Sequence, residues 1–483
     1  MARILMFLNF IISIVFAAHT DQRERLIQKQ KSSSILSMPL IPYHIQRRRR
    51  RHLNKNPPQG SIAQPKVNVS LELRPSPLYQ GYGTHFIDLW IGTPSQRQTV
   101  IVDTGSGITA IPCQDCINCG AEYHIDSYFL EDSSESFEDI SCDKCLIIGC
   151  SSSSNCKIEV SYQEGSSWIA HEVSDIVYLG EAIETPFDHP SKDSFRLRFG
   201  CQTSLTGLFK TQLADGIMGM DLSSSSFWKQ AYVNDATPNQ SFSLCFSRQS
   251  EANTKSSNAG VMTMGGSDLR LHNTIMVYAD QPNTGGYFKV YIVKIFLRSG
   301  GGELVASKNN TNVEQINIDE EILNKGDIML DSGTTNTYLT TLLSRPFSAA
   351  WKKITGDDWK ENRSVHLTRE QLLDMPTILF QLRGWEKGFQ DDLAEGLAAS
   401  ISPNSSDDIL VAMPATHYME YSKSKEKYFS RIYFGEGDGG VLGANFMMGH
   451  DILFDVDNRR IGFAESSCEY STVAEVETFR PKV

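Results

Sequence analysis

The chain has 483 residues, more than one compact core accommodates, so two folded lobes of ordinary size are expected. With 40% hydrophobic and 10% aromatic residues it can bury large cores, which excludes a collagen-like, fibrous or wholly disordered protein. The net charge is −12, and the acidic excess lies in the body of the chain, which argues against a nucleic-acid partner.

In chain order, Met1–Arg3 give a short positive start, Ile4–Phe16 is almost entirely apolar, and small residues follow. This pattern predicts a signal peptide over residues 1–17 with a cut after Ala17. Residues 18–77 carry twelve Lys or Arg against three Asp or Glu and lack apolar periodicity, so they read as a flexible basic pro-segment. With Arg3 counted, residues 78–483 are left at −22, and the leader is expected to mask an acidic cleft. No later stretch approaches 18 apolar residues, so no membrane span is expected in the mature chain, which is read as a monomer.

From residue 78 short apolar runs alternate with Gly, Asp, Asn and Ser clusters, which predicts a mostly-β body. Strands are expected over 85–91, 98–102, 157–162, 171–179, 260–264, 288–296 and 431–434. Helices are expected over 346–355, with Pro346 at the first helical position, and over 368–373. The polar segments 301–325 and 384–427 read as loops or insertions. Lobe boundaries are placed at 78–240 and 241–470, with a short tail over 471–483.

Ten cysteines behind a signal peptide predict disulfides. Cys113, Cys116, Cys119, Cys142, Cys145, Cys150 and Cys156 form a cluster, which with Cys201 makes four bridges, leaving Cys245 and Cys468 for a fifth. The competing zinc-knuckle reading of the Cys-x-x-Cys pairs is disfavoured by an oxidising compartment, and no metal or other cofactor is expected. Asn68, Asn239, Asn309, Asn362 and Asn404 are glycosylation sequons.

One repeat carries the chemistry. Val100-Ile101-Val102-Asp103-Thr104-Gly105-Ser106 is echoed by Ile328-Met329-Leu330-Asp331-Ser332-Gly333-Thr334. Each copy is trailed by an apolar-glycine run, Gly216–Gly219 for the first and Val441-Leu442-Gly443 for the second, which implies two related lobes. Two carboxylates brought close enough to hold one water cannot both ionise easily, so one keeps a proton and the pair acts as acid and base together. Asp103 and Asp331 are therefore the candidate catalytic pair. Thr104 and Ser332 are expected to bond across the lobe interface. Ser106 and Thr334 are expected to bond the outer carboxylate oxygens, and Gly105 and Gly333 to allow a sharp turn.

These motifs resemble those of the pepsin-type aspartic proteases over about residues 80–470. Tyr82-Gly83-Thr84 and Ile91-Gly92-Thr93-Pro94 are similar to that family's first strands, and Val160-Ser161-Tyr162-Gln163-Glu164-Gly165-Ser166 resembles its flap. The resemblance implies a bilobal β fold with the cleft between the lobes, a polypeptide substrate, and Tyr162, Gly165 and Ser166 as flap residues. Arg198-Phe199-Gly200-Cys201 and Phe242-Ser243-Leu244-Cys245 resemble nepenthesin-like enzymes. Pro112-Cys113, continuing through Cys116 and Cys119, resembles the plasmepsin V-like group, which implies limited processing in the secretory pathway. The lumen of the endoplasmic reticulum, a vacuole and the cell exterior all fit such a chain.

Two positions depart from the family pattern. Gly107 replaces a serine, which is expected to loosen the first turn. Ala110 stands seven residues after Asp103, where pepsins carry the tryptophan that partners the flap tyrosine, so that partner is left open; Trp168 lies nearby without an assigned role. The alternatives are a broad-specificity acid protease and a non-catalytic binding or inhibitor protein on the same fold. Both Asp motifs being intact disfavours the last of these.

Overall fold

The computed structural model describes the strand Leu36–Pro39 and residues 84–146, 150, 155–179, 194–247, 259–282, 285–299, 313–359, 361, 364–385, 408–422 and 424–469. Two sheets repeat one arrangement. In the first half, Gln96–Asp103 runs parallel to Gly216–Gly219, which pairs antiparallel with Ala110–Pro112, itself parallel to Phe195–Leu205. In the second half, Ile328–Leu330 runs parallel to Gly440–Leu442, which pairs antiparallel with Thr337–Thr340, itself parallel to Ile432–Glu436. The motif strand and its apolar-glycine echo are therefore neighbours in both halves. Strands buried on both faces read as continuous apolar runs, as Val100–Val102 does.

A six-stranded sheet joins the halves, in the order Leu36–Pro39, Gly260–Met264, Ser241–Phe246, His450–Asp455, Arg460–Glu465 and Val277–Asp280. One continuous hydrophobic cluster runs from Phe86 and Val102 through Phe242 to Leu330 and Phe463. This is the bilobal, mostly-β architecture that the resemblance implies.

The structure departs from the sequence reading in several places. Leu36–Pro39, within the expected flexible leader, pairs antiparallel with Val261–Met264 at the edge of the joining sheet. The expected signal peptide, the rest of the expected leader and the expected tail lie outside the described residues. The single strand expected over 288–296 is two, Lys289–Val290 and Ile292–Arg298, because each half pairs with a different partner strand. The helix around Pro346 begins earlier, at Ser344, and closes on Gly356 in a left-handed cap. Thr368 caps the next helix through a reciprocal bond with Gln371 rather than lying inside it. The polar segments read as loops contain the strands Val313–Gln315 and Ile409–Met413. Among the described residues no helix is long and apolar enough to cross a membrane.

All ten cysteines are paired, as Cys113–Cys201, Cys116–Cys119, Cys142–Cys150, Cys145–Cys156 and Cys245–Cys468. The sulfurs of both Cys-x-x-Cys pairs are thus held in bridges rather than as thiolates.

Candidate active site

The strands Gln96–Asp103 and Ile328–Leu330 each run out of the core and deliver an aspartate to the floor of a cleft of about 840 Å³ between the halves. Asp103 and Asp331 are both buried, and each carboxyl lies against the glycine of the other motif. Their surroundings are matched. Gly105 N–H donates to Asp103 Oδ1 at 2.9 Å, and Gly333 N–H donates to Asp331 Oδ1 at 2.9 Å. Ser106 Oγ donates to Asp103 Oδ2 at 2.6 Å, and Thr334 Oγ1 donates to Asp331 Oδ2. Burial, and after it the neighbouring Asp331, holds the Asp103 carboxyl well above the usual carboxylate range.

Behind the pair, Thr104 and Ser332 lock the loops together. Thr104 N–H donates to Ser332 Oγ (3.0 Å) and Ser332 N–H donates to Thr104 Oγ1 (2.9 Å). The two hydroxyls donate onward to Leu330 O and Val102 O. Gly105 and Gly333 serve a purpose other than the expected sharp turn, since neither lies in the left-handed region. A Cβ on Gly105 would lie 2.7 Å from Asp331 Oδ1, and one on Gly333 would lie 2.2 Å from Asp103 Oδ1. Each glycine makes room for the other motif's carboxylate.

At Gly107, where a looser turn is expected, another loop braces the backbone. Ser225 Oγ donates to Gly107 O at 2.8 Å, and Asp221 N–H donates to Ser106 O at 2.9 Å. A Cβ at Gly107 would meet Ser223 Oγ at 2.0 Å and Asp221 Oδ1 at 2.4 Å, so this neighbourhood requires glycine.

The hairpin of Lys157–Ser161 and Ser167–Leu179 overhangs the cleft. Tyr162 lines the cleft, and its phenol is pushed up by burial and then by the Asp103 charge. Gly165 sits in the tip with φ +94°. Ser166 is buried; its Oγ accepts from Leu208 N–H at 2.9 Å, so it braces the hairpin instead of facing the cleft. The hydrogen-bond partner of Tyr162 is Trp168, whose Nε1–H donates to Tyr162 Oη at 3.2 Å. Of the five sequons only Asn239 is among the described residues; it is exposed, and its Nδ2 donates to Gly265 O.

The walls were not legible from the sequence. Tyr123, Phe209 and Ile217 line the cleft from the first half, and Asn336, Tyr338, Glu436 and Val441 from the second. Ile217 and Val441 lie inside the two glycine echoes, whereas the other positions are far apart in the chain and share no motif. Only the closeness of Asn336 and Tyr338 to the second motif could have pointed to any of these others.

The chain was compared with known proteins. A family profile described as Xylanase inhibitor N-terminal matches residues 85–266. The chain is similar to Plasmepsin V of Plasmodium falciparum, 23% identical over 447 residues, covering 80% of this chain and 72% of that protein. It is similar to Aspartyl protease family protein 1 of Arabidopsis thaliana, 24% identical over 398 residues, with 80% and 67% covered. A shorter match to Aspartic protease 5 of Toxoplasma gondii is 36% identical over 155 residues, which is 29% of this chain and 15% of that protein.

Proposed function

We propose that this chain, a pepsin-like aspartic-type endopeptidase, hydrolyses selected peptide bonds of secretory-pathway polypeptides through water activated by Asp103 and Asp331. The observation that carries the reading is the pair of buried carboxyls brought together by matched loops. Asp103, with its raised proton affinity, carries the proton of the pair. The Asp331 carboxylate takes a proton from the water as its oxygen attacks the carbonyl carbon, and Asp103 passes its proton to the carbonyl oxygen. A tetrahedral diol results. Its collapse breaks the C–N bond while the amine nitrogen takes up the proton gained by Asp331, and one hydroxyl proton returns to Asp103. Every atom of the water ends in the two products.

Limited processing is supported by the likeness to Plasmepsin V, which extends to the cysteine cluster and the flap sequence. A second reading, a non-catalytic inhibitor, draws on the description of the matching family profile. The intact pair argues against it. The test is peptide cleavage by the purified chain and by Asp331→Asn from pH 3 to 8. Cleavage lost in the variant supports the reading, and equal rates overturn it. A substrate-library profile then separates processing, with a narrow motif, from broad digestion at hydrophobic pairs.

A further inference from the structure

We infer that Ser225 is a positioning residue for Asp103. Its hydroxyl fastens the Asp103 loop to a serine-rich loop that is itself tied to the chain leading to Asp331. Only the kinetic consequence rests on the proposed peptidase reading.

The two halves hold their aspartate loops differently. Gly107 and Thr335 each stand four residues past the aspartate of their motif. In the second half the support is all backbone. Ala444 N–H donates to Thr334 O at 2.7 Å and Asn445 N–H donates to Thr335 O at 3.3 Å. Asn445 lies two residues past the echo glycine Gly443, and its counterpart, two past Gly219, is Asp221. Asp221 N–H goes to Ser106 O instead, so Gly107 O takes its bond from a side chain, Ser225 Oγ at 2.8 Å. Glycine at 107 is what admits that loop, because a Cβ there would fall on Ser223 Oγ and Asp221 Oδ1.

Ser225 is held firmly on its own side. Gln230 Nε2 donates to Ser225 O at 2.7 Å. Ser226 Oγ donates to Asp221 Oδ1 at 2.7 Å, and the indole of buried Trp228 donates to Asp221 O at 2.7 Å. A donor placed by so many bonds is already oriented before it meets Gly107. The same loop reaches the other half. Leu222 N–H donates to Gly286 O at 2.9 Å, and two residues on, Phe288 O accepts Leu330 N–H at 2.9 Å, directly before Asp331. The loop therefore grips the Asp103 turn through Met220, Asp221 and Ser225 and the approach to Asp331 through Leu222. Of these four bonds, Ser225 alone makes its own through a side chain, so a substitution can remove it without touching the backbone.

The test compares Ser225→Ala and Ser225→Thr with wild type in peptide cleavage. Ser225→Ala is expected to lower kcat about three- to tenfold, the worth of one hydrogen bond, with KM unchanged. Ser225→Thr keeps the hydroxyl and is expected to restore kcat. Wild-type kcat in Ser225→Ala, a loss confined to KM, or a Ser225→Thr enzyme as slow as Ser225→Ala overturns the inference. Hydrogen–deuterium exchange of the full-length proteins reads the same loop without catalysis. The Leu222 amide, whose acceptor lies in the other half, is expected to exchange faster in Ser225→Ala, and an unchanged rate overturns the tie. That result stands apart from the Asp331→Asn assay, which tests the function itself.

Discussion

The hydroxyls of Thr104 and Ser332 each accept the other's backbone N–H, at 2.9 and 3.0 Å, across the boundary between the lobes. Both groups are fully buried, so losing one hydroxyl leaves a backbone donor unpaired away from water. Thr104→Val is expected to destabilise the protein by about 2–3 kcal/mol in urea unfolding. Adding Ser332→Ala is expected to cost less than the sum of the two, because the residues share one network. Strict additivity would contradict that coupling.

Gly333 is expected to tolerate no side chain. Its Cβ would lie 2.2 Å from Asp103 Oδ1, so Gly333→Ala pushes the carboxyls apart. A misplacement of this size is expected to cost about a hundredfold in kcat/KM. Peptide hydrolysis at the wild-type rate in this variant would refute the close approach.

Two buried groups set opposite pH trends in stability. The folded-state proton affinity of Asp103 is raised above its ordinary 3.8, so across that window the folded protein holds more protons than the unfolded chain. The contribution of Asp103 is present below pH 3.8 and is lost as pH rises through the raised folded value, by at most about 1.36 kcal/mol per pH unit. Asp103→Asn should remove this decline in thermal unfolding from pH 4 to neutrality.

His85 acts in the other direction. It is buried against Phe246 with centroids 3.9 Å apart, and burial lowers it from 6.5 to about 3. The unfolded chain then binds more protons between those values, so stability falls as pH drops through the window. His85→Phe should flatten the melting-temperature profile below pH 6.5, and an unchanged acid slope would show that another group carries it.

Cys245 and Cys468 are bridged across 223 residues and tie the joining sheet to the segment after its strand Arg460–Glu465. Replacing both with Ala is expected to cost about 2–5 kcal/mol, because the unfolded chain regains the freedom of a long loop. Chemical denaturation of the oxidised proteins checks this, and an unchanged midpoint would refute it.

Much of the site was legible because its chemistry is local. Asp103-Thr104-Gly105-Ser106 and Asp331-Ser332-Gly333-Thr334 each span four residues, and a loop that short can bond its own aspartate only in a few ways. The apolar runs before them, the glycine echoes after them and the even cysteine count were likewise properties of the linear chain. From these followed two β lobes and a carboxyl pair, while the overhanging hairpin was implied by the resemblance of Val160–Ser166 to the pepsin-type flap.

Contacts closed over long separations were decided only in three dimensions. Cysteine spacing leaves many pairings open, and the folded chain selects one by bringing Cys113 to Cys201 across 88 residues. The need for glycine at 107 depends on Asp221 and Ser223, more than a hundred residues away. Even Trp168, six residues from Tyr162, could not be assigned until the strand register placed the two rings on one face. Sequence by itself determined which groups could react, since that depends on residue type and near neighbours. Tertiary structure decided which groups meet, since that depends on how the strands pair and which buried donors find acceptors.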